Sequence, residues 1–269
     1  MMTEVFRLRN LEQAIEQAAK DELSKYEASS QCFFNYLEQL SKDSFNRKQF
    51  QIYRDNFFFR TSSTTRSIFR VFLAAALNAD YTTFCSMREN LFDELGRGNP
   101  EKRHLTLLEK SYNFHGEKVF GLPRISVQEV EQSPLICEEA RYFREIQKSL
   151  YCHKYYQVVL GCSFAQEAVA NHMLESFYKT LFLPYKFLYN EDFEQVSEYF
   201  LTHITGLEKN HAEKAKQAIF KACSNEHALQ LVVEGISRFL NAQAVLWKGI
   251  LREMIKAQSE DDFVSVFLY

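Results

Sequence analysis

The stretch YFLTHITGLEKNHAEKA, residues 199–215, places His203, Glu208 and His211 within nine residues of a segment predicted to be helical. Imidazole and carboxylate groups together are ligands that suit iron, manganese or zinc. At about 100° per residue, Glu208 and His211 lie about 60° apart on an α-helix, so they share a face. The alternative is a pair of histidines on a helix surface with a solvated Glu208.

His203 is harder to bring to the same face. On a regular α-helix it lies about 140° from Glu208, too far round to share a metal ion. One extra residue accommodated as a π-bulge restores a common face. We therefore predict a π-type turn between His203 and Glu208.

A second cluster precedes this stretch, in NLFDELGRGNPEKRHLTLL, residues 90–108. Glu94 ends one predicted helix, and His104 lies early in the next, which Asn99 is expected to cap with Pro100 at its first position. The glycines between them allow two helix ends to approach closely. Alternatively, Glu94 is only a charged residue near a helix C-terminus, where the dipole disfavours an acid.

Glu167 is the third candidate, in VVLGCSFAQEAVANHML, residues 158–174. A lone carboxylate in such an apolar run is costly unless it is paired or bound to metal. His172 and Glu175 follow on the same helix as rival ligands, and a solvated Glu167 is the alternative. Cys162 is a candidate thiol nucleophile, although a cysteine on an apolar helix is more often a packing residue.

Composition predicts an all-α fold. Gly totals 8 and Pro 4 in 269 residues, too few for the turns that sheets need. Hydroxyl side chains at residues 61–65 are expected to bend a long helix over residues 47–77, and residues 113–134 form the main irregular connection. A separate helix is predicted to start at Ser29 or Ser30. We expect residues 1–28 to be an N-terminal helical extension and residues 29–269 to be one helical domain.

Charge and cysteine spacing exclude several classes of protein. The net charge of −3 has no basic stripe, so no nucleic-acid partner is expected. The six cysteines form no C-x-x-C pair and are expected to be free thiols. The absence of an apolar N-terminal region and of any long apolar run predicts a cytoplasmic protein without a membrane partner. The isolated His115 and His153 are expected at the surface or in loops.

Taken together, the three clusters resemble the haem-oxygenase-like di-iron oxidases and oxygenases. These are relatives of the thiaminase-like and pyrroloquinoline-quinone-synthase-like bundles and of the chlamydial protein associating with death domains. The last ligand helix of that family reads H-x-x-x-D/E-x-x-H followed by Ala and charged residues, and here one more residue precedes Glu208. The resemblance spans roughly residues 30–255. It implies a bundle of about seven core helices with an N-terminal extension, and six metal ligands: Glu94, His104, Glu167, His203, Glu208 and His211.

The resemblance implies one or two iron ions, with manganese as an option, and an oxidant formed from O2 that attacks a small, largely apolar organic substrate. Phe57, Phe58, Phe69 and Phe164 are expected to line its pocket. The tyrosine-rich helix of the family corresponds to YRDNFFF, residues 53–59, in which phenylalanine replaces much of the phenol chemistry. The alternatives are a metal-free thiaminase-like enzyme of the same fold and a non-catalytic interaction protein. A homodimer is left open.

Overall fold

The computed structural model describes residues 2–43, 45–189, 192–204 and 208–266, with side chains described for residues 10–40, 45–189, 192–204 and 210–258. This part of the chain is α-helical and contains no strand, which confirms the predicted fold class. Its α-helices are α1 (Met2–Asp43), α2 (Arg47–Thr61), α3 (Thr64–Leu77), α4 (Tyr81–Glu94), α5 (His104–Phe120), α6 (Glu138–Tyr151), α7 (Tyr156–Phe177), α8 (Phe193–Thr202), α9 (Glu208–Ala222) and α10 (Glu226–Val266). None of these helices is both long and apolar enough for a membrane crossing.

Helices α7 and α10 form the centre of the bundle. Helix α10 contacts α1, α2, α6 and α7, and α7 also contacts α3, α6 and α9. Two glycines allow the backbones of α7 and α10 to come into direct contact. A Cβ on Gly161 of α7 would lie 2.2 Å from the Val232 carbonyl oxygen. A Cβ on Gly235 of α10 would lie 2.2 Å from the Val158 carbonyl oxygen. This contact fixes α7, the helix that carries Glu167.

Helix α1 is continuous across residues 28–29, where the sequence predicted a boundary. A helix start at Ser29 or Ser30 is wrong because the Ser30 hydroxyl instead donates to the Tyr26 carbonyl oxygen one turn earlier, at 2.8 Å. Such back-bonding lets a serine remain inside a helix. Ile15 and Tyr26, before the predicted boundary, are buried in the same core as the rest of the bundle.

The predicted bend in the hydroxyl-rich segment is confirmed. Helix α2 ends at Thr61 and α3 begins at Thr64. The Ser62 hydroxyl donates to the Phe59 carbonyl oxygen at 2.9 Å, and that of Ser63 donates to Gln147 Oε1 at 2.6 Å. These bonds give the hydroxyls partners outside a regular helical ladder and set the angle between α2 and α3.

The corner between α4 and α5 differs in detail from the prediction. Asn99 accepts from the backbone N–H of Glu101 and so caps a short 3-10 helix, Pro100–Lys102, rather than α5 itself. Helix α5 begins at His104 and extends to Phe120, well into the predicted irregular region. At Gly96 the backbone has φ +73, and an added Cβ would lie 2.6 Å from the Arg103 nitrogen. Glycine therefore permits the tight turn that returns the chain to α4.

The irregular segment that follows α5 is held by buried polar side chains of α2. Asn56 Nδ2 donates to the Leu135 carbonyl oxygen at 2.8 Å, and its Oδ1 accepts from the Cys137 N–H at 3.0 Å. Asp55 Oδ2 accepts from the Ser133 hydroxyl at 2.7 Å. Asn56 thus satisfies loop backbone groups and Asp55 a loop hydroxyl, which are structural roles.

Candidate metal centre

Five of the six sequence-predicted ligands line one cavity of about 50 Å³. They come from different helices: Glu94 ends α4, His104 begins α5, Glu167 lies in α7, His203 directly follows α8, and His211 lies in α9. The sixth, Glu208, is the first residue of α9, but its side chain lies outside the described residues. Residues up to 117 positions apart in the chain therefore meet at one buried point.

Glu94, His104 and His203 form the tightest group. One potential ligand atom from each lies within 4.8 Å of the other two. Glu94 Oε1 and His104 Nδ1 are 2.9 Å apart, and the rings of His104 and His203 lie 4.4 Å apart, edge to face. Both histidines are buried, so few water molecules compete for their nitrogens.

The backbone around His203 has the predicted widening where it is described. His203 and Ile204 are π-helical, and residues 205–207 lie outside the described part of the chain. His203 Nδ1 donates to the Tyr199 carbonyl oxygen at 2.5 Å, which directs the lone pair of the neutral ring to Nε2. Burial, with help from the nearby His104, lowers the pKa of His203 to about 4. The ring is therefore neutral at pH 7, the state in which imidazole binds metal.

Glu167 and His211 form the second part of the site. His211 Nδ1 lies 3.8 Å from Glu167 Oε2, and both side chains are buried. Burial also lowers the pKa of His211. The rivals on α7 lie elsewhere, since His172 is exposed and Glu175 pairs with Lys179 at 2.7 Å.

Electrostatic pairing stabilises opposite charges on Glu94 and His104. Burial opposes ionisation of Glu94, but the adjacent histidines, His104 first among them, outweigh it and lower the carboxyl pKa. Burial likewise favours neutral His104, but the Glu94 carboxylate outweighs it and raises the imidazole pKa. A cation bound here would replace the proton that the pair shares, so metal binding and proton release are coupled.

The residues present fit a bound iron ion. Buried carboxylates and imidazoles converge on one cavity, and mixed nitrogen and oxygen donors are the set that non-haem iron uses. Of the described side chains, Glu94, His104 and His203 lie closest together, and Glu167 and His211 line the same cavity.

Two expectations about the surroundings are wrong. Phe57 and Phe58 are buried in the core, Phe69 is largely exposed, and none of the four predicted phenylalanines lies among the described residues that line the cavity. Helical periodicity identifies the apolar face of a helix, but it does not show whether that face packs in the core or lines a cavity. His115 is also buried rather than at the surface, packed against Phe50 and Phe182 and away from the cavity.

Cys162 does not line the cavity, and burial raises the pKa of its thiol. That environment favours the inert protonated form over a thiolate nucleophile. Arg60, Thr61 and Asn90 also line the cavity, although no pattern in the sequence assigns them to a site. Thr61 belongs to the hydroxyl-rich bend and Asn90 begins the segment that contains Glu94, and only the folded structure brings them beside the predicted ligands.

Comparison with known proteins agrees with this geometry. Residues 62–244 match the family described as iron-containing redox enzymes, and the chain belongs to this family. No curated protein sequence matches it.

Solved structures share the fold at low sequence identity. A CADD-like protein of unknown function from Nostoc punctiforme PCC 73102 is 16% identical, with 93% of this chain and 99% of that chain covered and a TM-score of 0.70. A domain of unknown function with a heme oxygenase-like fold from Shewanella denitrificans OS217 is 15% identical, with 94% and 95% covered and a TM-score of 0.60. The chain therefore has a heme oxygenase-like fold.

Proposed function

We propose that this protein is an O2-dependent oxidase or oxygenase that holds one or two iron ions and acts on a small organic substrate. The observation that carries the proposal is the convergence of three histidines and two carboxylates on one buried cavity. Membership of a family of iron-containing redox enzymes supports the metal. When bound, ferrous iron supplies the activation of O2.

The residues of the site have distinct roles in this proposal. Glu94, His104 and His203 hold the metal, with Glu167 and His211 as further ligands. The carboxylates offset the metal charge, and the backbone bond from His203 Nδ1 to Tyr199 fixes the orientation of that ring. Burial excludes bulk water from the cavity and so protects reactive species from side reactions.

The test compares Glu167→Gln with Glu175→Gln in thermal melts of metal-free and ferrous-iron-loaded protein under anaerobic conditions. Both changes neutralise a glutamate of α7, but only Glu167 lines the cavity. Metal that binds only the native state at a hundredfold excess over Kd stabilises it by about 2.7 kcal/mol. For a chain of this size that corresponds to a rise in Tm of roughly 5–10 °C.

We expect the wild type and Glu175→Gln to show the full rise, and Glu167→Gln to lose most of it. The metal-free Glu167→Gln protein should be as stable as the wild type or more so, because a buried carboxylate is removed from beside another acid of the same cavity. An equal iron-induced rise in both variants would exclude Glu167 as a ligand. O2 consumption by the iron-loaded wild type, measured with an oxygen electrode, tests the redox part, and its absence would contradict the oxidase assignment.

A further inference from the structure

Arg60, near the end of α2, is a buried cation on the wall of the same cavity. Its side chain is only 6% exposed. One guanidinium nitrogen, Nη2, donates to Gln243 Oε1 at 2.9 Å, but Nε has no hydrogen-bond partner in the part of the chain that the structure describes. A guanidinium keeps its charge inside proteins, so this group cannot become neutral to avoid the cost of burial.

Besides Gln243, the groups closest around the Arg60 guanidinium, among the described residues, are aromatic rings rather than a carboxylate. Its guanidinium carbon lies 6.0 Å from the centre of the Phe57 ring and 5.7 Å from that of Phe143. Burial lowers the pKa of Arg60, and the groups that oppose this effect most are tyrosines, Tyr26 and Tyr199 first. A tyrosine hydroxyl is a weak counterpart for a buried full charge.

Two more buried polar atoms on the cavity wall have no hydrogen-bond partner among the described residues. These are Thr61 Oγ1 and Asn90 Nδ2. Together with Arg60 Nε, they offer three hydrogen-bond donors that lack acceptors. Buried polar atoms in folded proteins nearly always have partners, so three such donors on one cavity wall are available to a ligand that accepts hydrogen bonds.

We propose that the cavity binds the carboxylate of a small organic acid, with its oxygens on Arg60 and hydrogen bonds from Thr61 and Asn90. The planar guanidinium matches a carboxylate in shape and charge. A cavity of about 50 Å³ has room for a few water-sized groups, which is the size of a carboxylate head group. The inference rests on the proposed function only in taking this acid to be the substrate, held by its charged end beside the iron ligands.

The surface next to the cavity favours an anionic substrate. Leu105 lines the cavity and also an outer pocket of about 370 Å³. That pocket carries four basic residues and two acidic ones: Arg66, Arg70, Arg144, Lys148, Glu131 and Glu145. A positive mouth raises the local concentration of anions. The outer pocket and the cavity thus share Leu105 as a common wall.

The experiment is a calorimetric titration of the full chain, stripped of metal with chelator, with acetate and with the neutral, similarly shaped acetamide. Stripping the metal prevents acetate from binding through iron. Wild type should bind acetate and not acetamide. Arg60→Met should weaken acetate binding roughly ten- to hundredfold, the value of a charge-assisted hydrogen bond. Arg88→Gln, which removes an exposed arginine of α4, should leave it unchanged.

Thr61→Val provides a second variant in case Arg60→Met does not fold, and it should weaken acetate binding severalfold. Equal affinity for acetate and acetamide, or full acetate affinity in the folded Arg60→Met or Thr61→Val protein, would overturn the inference. The iron-induced rise in Tm separates this failure from failure of the proposed function. Arg60→Met should keep that rise, since Arg60 is not among the ligands.

Discussion

Burial alone sets the protonation state of His115. Its ring is 1% exposed and lies among aromatic side chains, with centroid distances of 4.9 Å to Phe50 and 4.8 Å to Phe182. Nδ1 is hydrogen-bonded to the Tyr189 hydroxyl. Desolvation lowers the pKa of His115 from 6.5 to about 3, and no carboxylate of the described residues offsets it.

This depressed pKa predicts a loss of stability in acid. Between pH 6.5 and about 3, the unfolded state binds one more proton at His115 than the native state does, so stability is complete above pH 6.5 and falls as the pH is lowered. The contribution reaches about 1.4 kcal/mol per pH unit. His115→Gln, which does not titrate and can still bond Tyr189, should flatten the curve of unfolding free energy over this range.

Urea denaturation at a series of pH values measures the effect. His227→Gln, at an exposed position, is the matched control and should keep the wild-type slope. A slope in His115→Gln that equals the wild-type slope would mean that the native state already accommodates a charged ring.

Residue chemistry explains why the histidines and glutamates that converge on the cavity were predictable from sequence and Arg60 was not. Histidine and glutamate at helical spacing are uncommon enough to indicate a site, and five of them do line one cavity. An arginine at the end of a helix is ordinary in sequence, since the same position is favourable for a solvated cation. Only the approach of α4, α7 and α10 makes Arg60 a buried charge.

At the scale of elements, the corner between α4 and α5 determines whether Glu94 and His104 meet. Ten residues separate them, and the turn returns the chain so that their side chains lie 2.9 Å apart. The corner requires positive φ at Gly96 and Gly98, at +73 and +91. Only Gly96 is also in close contact, with Lys102 and Arg103 backbone atoms 2.6 Å from an added Cβ.

Gly96→Ala should therefore damage the metal site more than Gly98→Ala does. Both changes place a Cβ on a left-handed residue, at a cost of about 1–3 kcal/mol. Only the change at Gly96 also pushes the start of α5 away from α4. We expect Gly96→Ala to lose most of the iron-induced rise in Tm, and Gly98→Ala to keep it. Equal shifts in the two variants would show that the corner tolerates displacement.

Local chemistry also explains which element boundaries the sequence could predict. The break at Ser62 and Ser63 was predictable because both hydroxyls find partners at short range or on an adjacent helix. The predicted break near Ser29 was wrong because the same residue type bonds back within an unbroken helix at Ser30. Serine permits both outcomes, and the packing of α1 along α10 selects the continuous helix.

For the whole molecule, Tyr26 links α1 to the cavity through hydrogen bonds. The Tyr26 hydroxyl accepts hydrogen bonds from Trp247 Nε1 at 2.8 Å and from Gln243 Nε2 at 2.9 Å. The other end of the Gln243 amide accepts from Arg60 at 2.9 Å. Tyr26 thus fixes the orientation of the Gln243 amide, and that amide in turn accepts a hydrogen bond from Arg60. Lys216 and Glu16 add a contact between α9 and α1, at 2.6 Å.

Removal of residues 1–28 tests whether this segment is a separate extension or part of the core. If it is part of the core, the truncated protein exposes apolar surface of α10 and leaves Trp247 Nε1 without its acceptor. We then expect a lower urea midpoint and red-shifted emission from Trp247, the single tryptophan. Tyr26→Phe, which keeps the ring, should cost about 1–3 kcal/mol for the unpaired donors. It should also weaken acetate binding through Arg60 and leave the iron-induced rise in Tm unchanged. A truncated protein with the wild-type midpoint and emission would instead establish residues 1–28 as a dispensable extension.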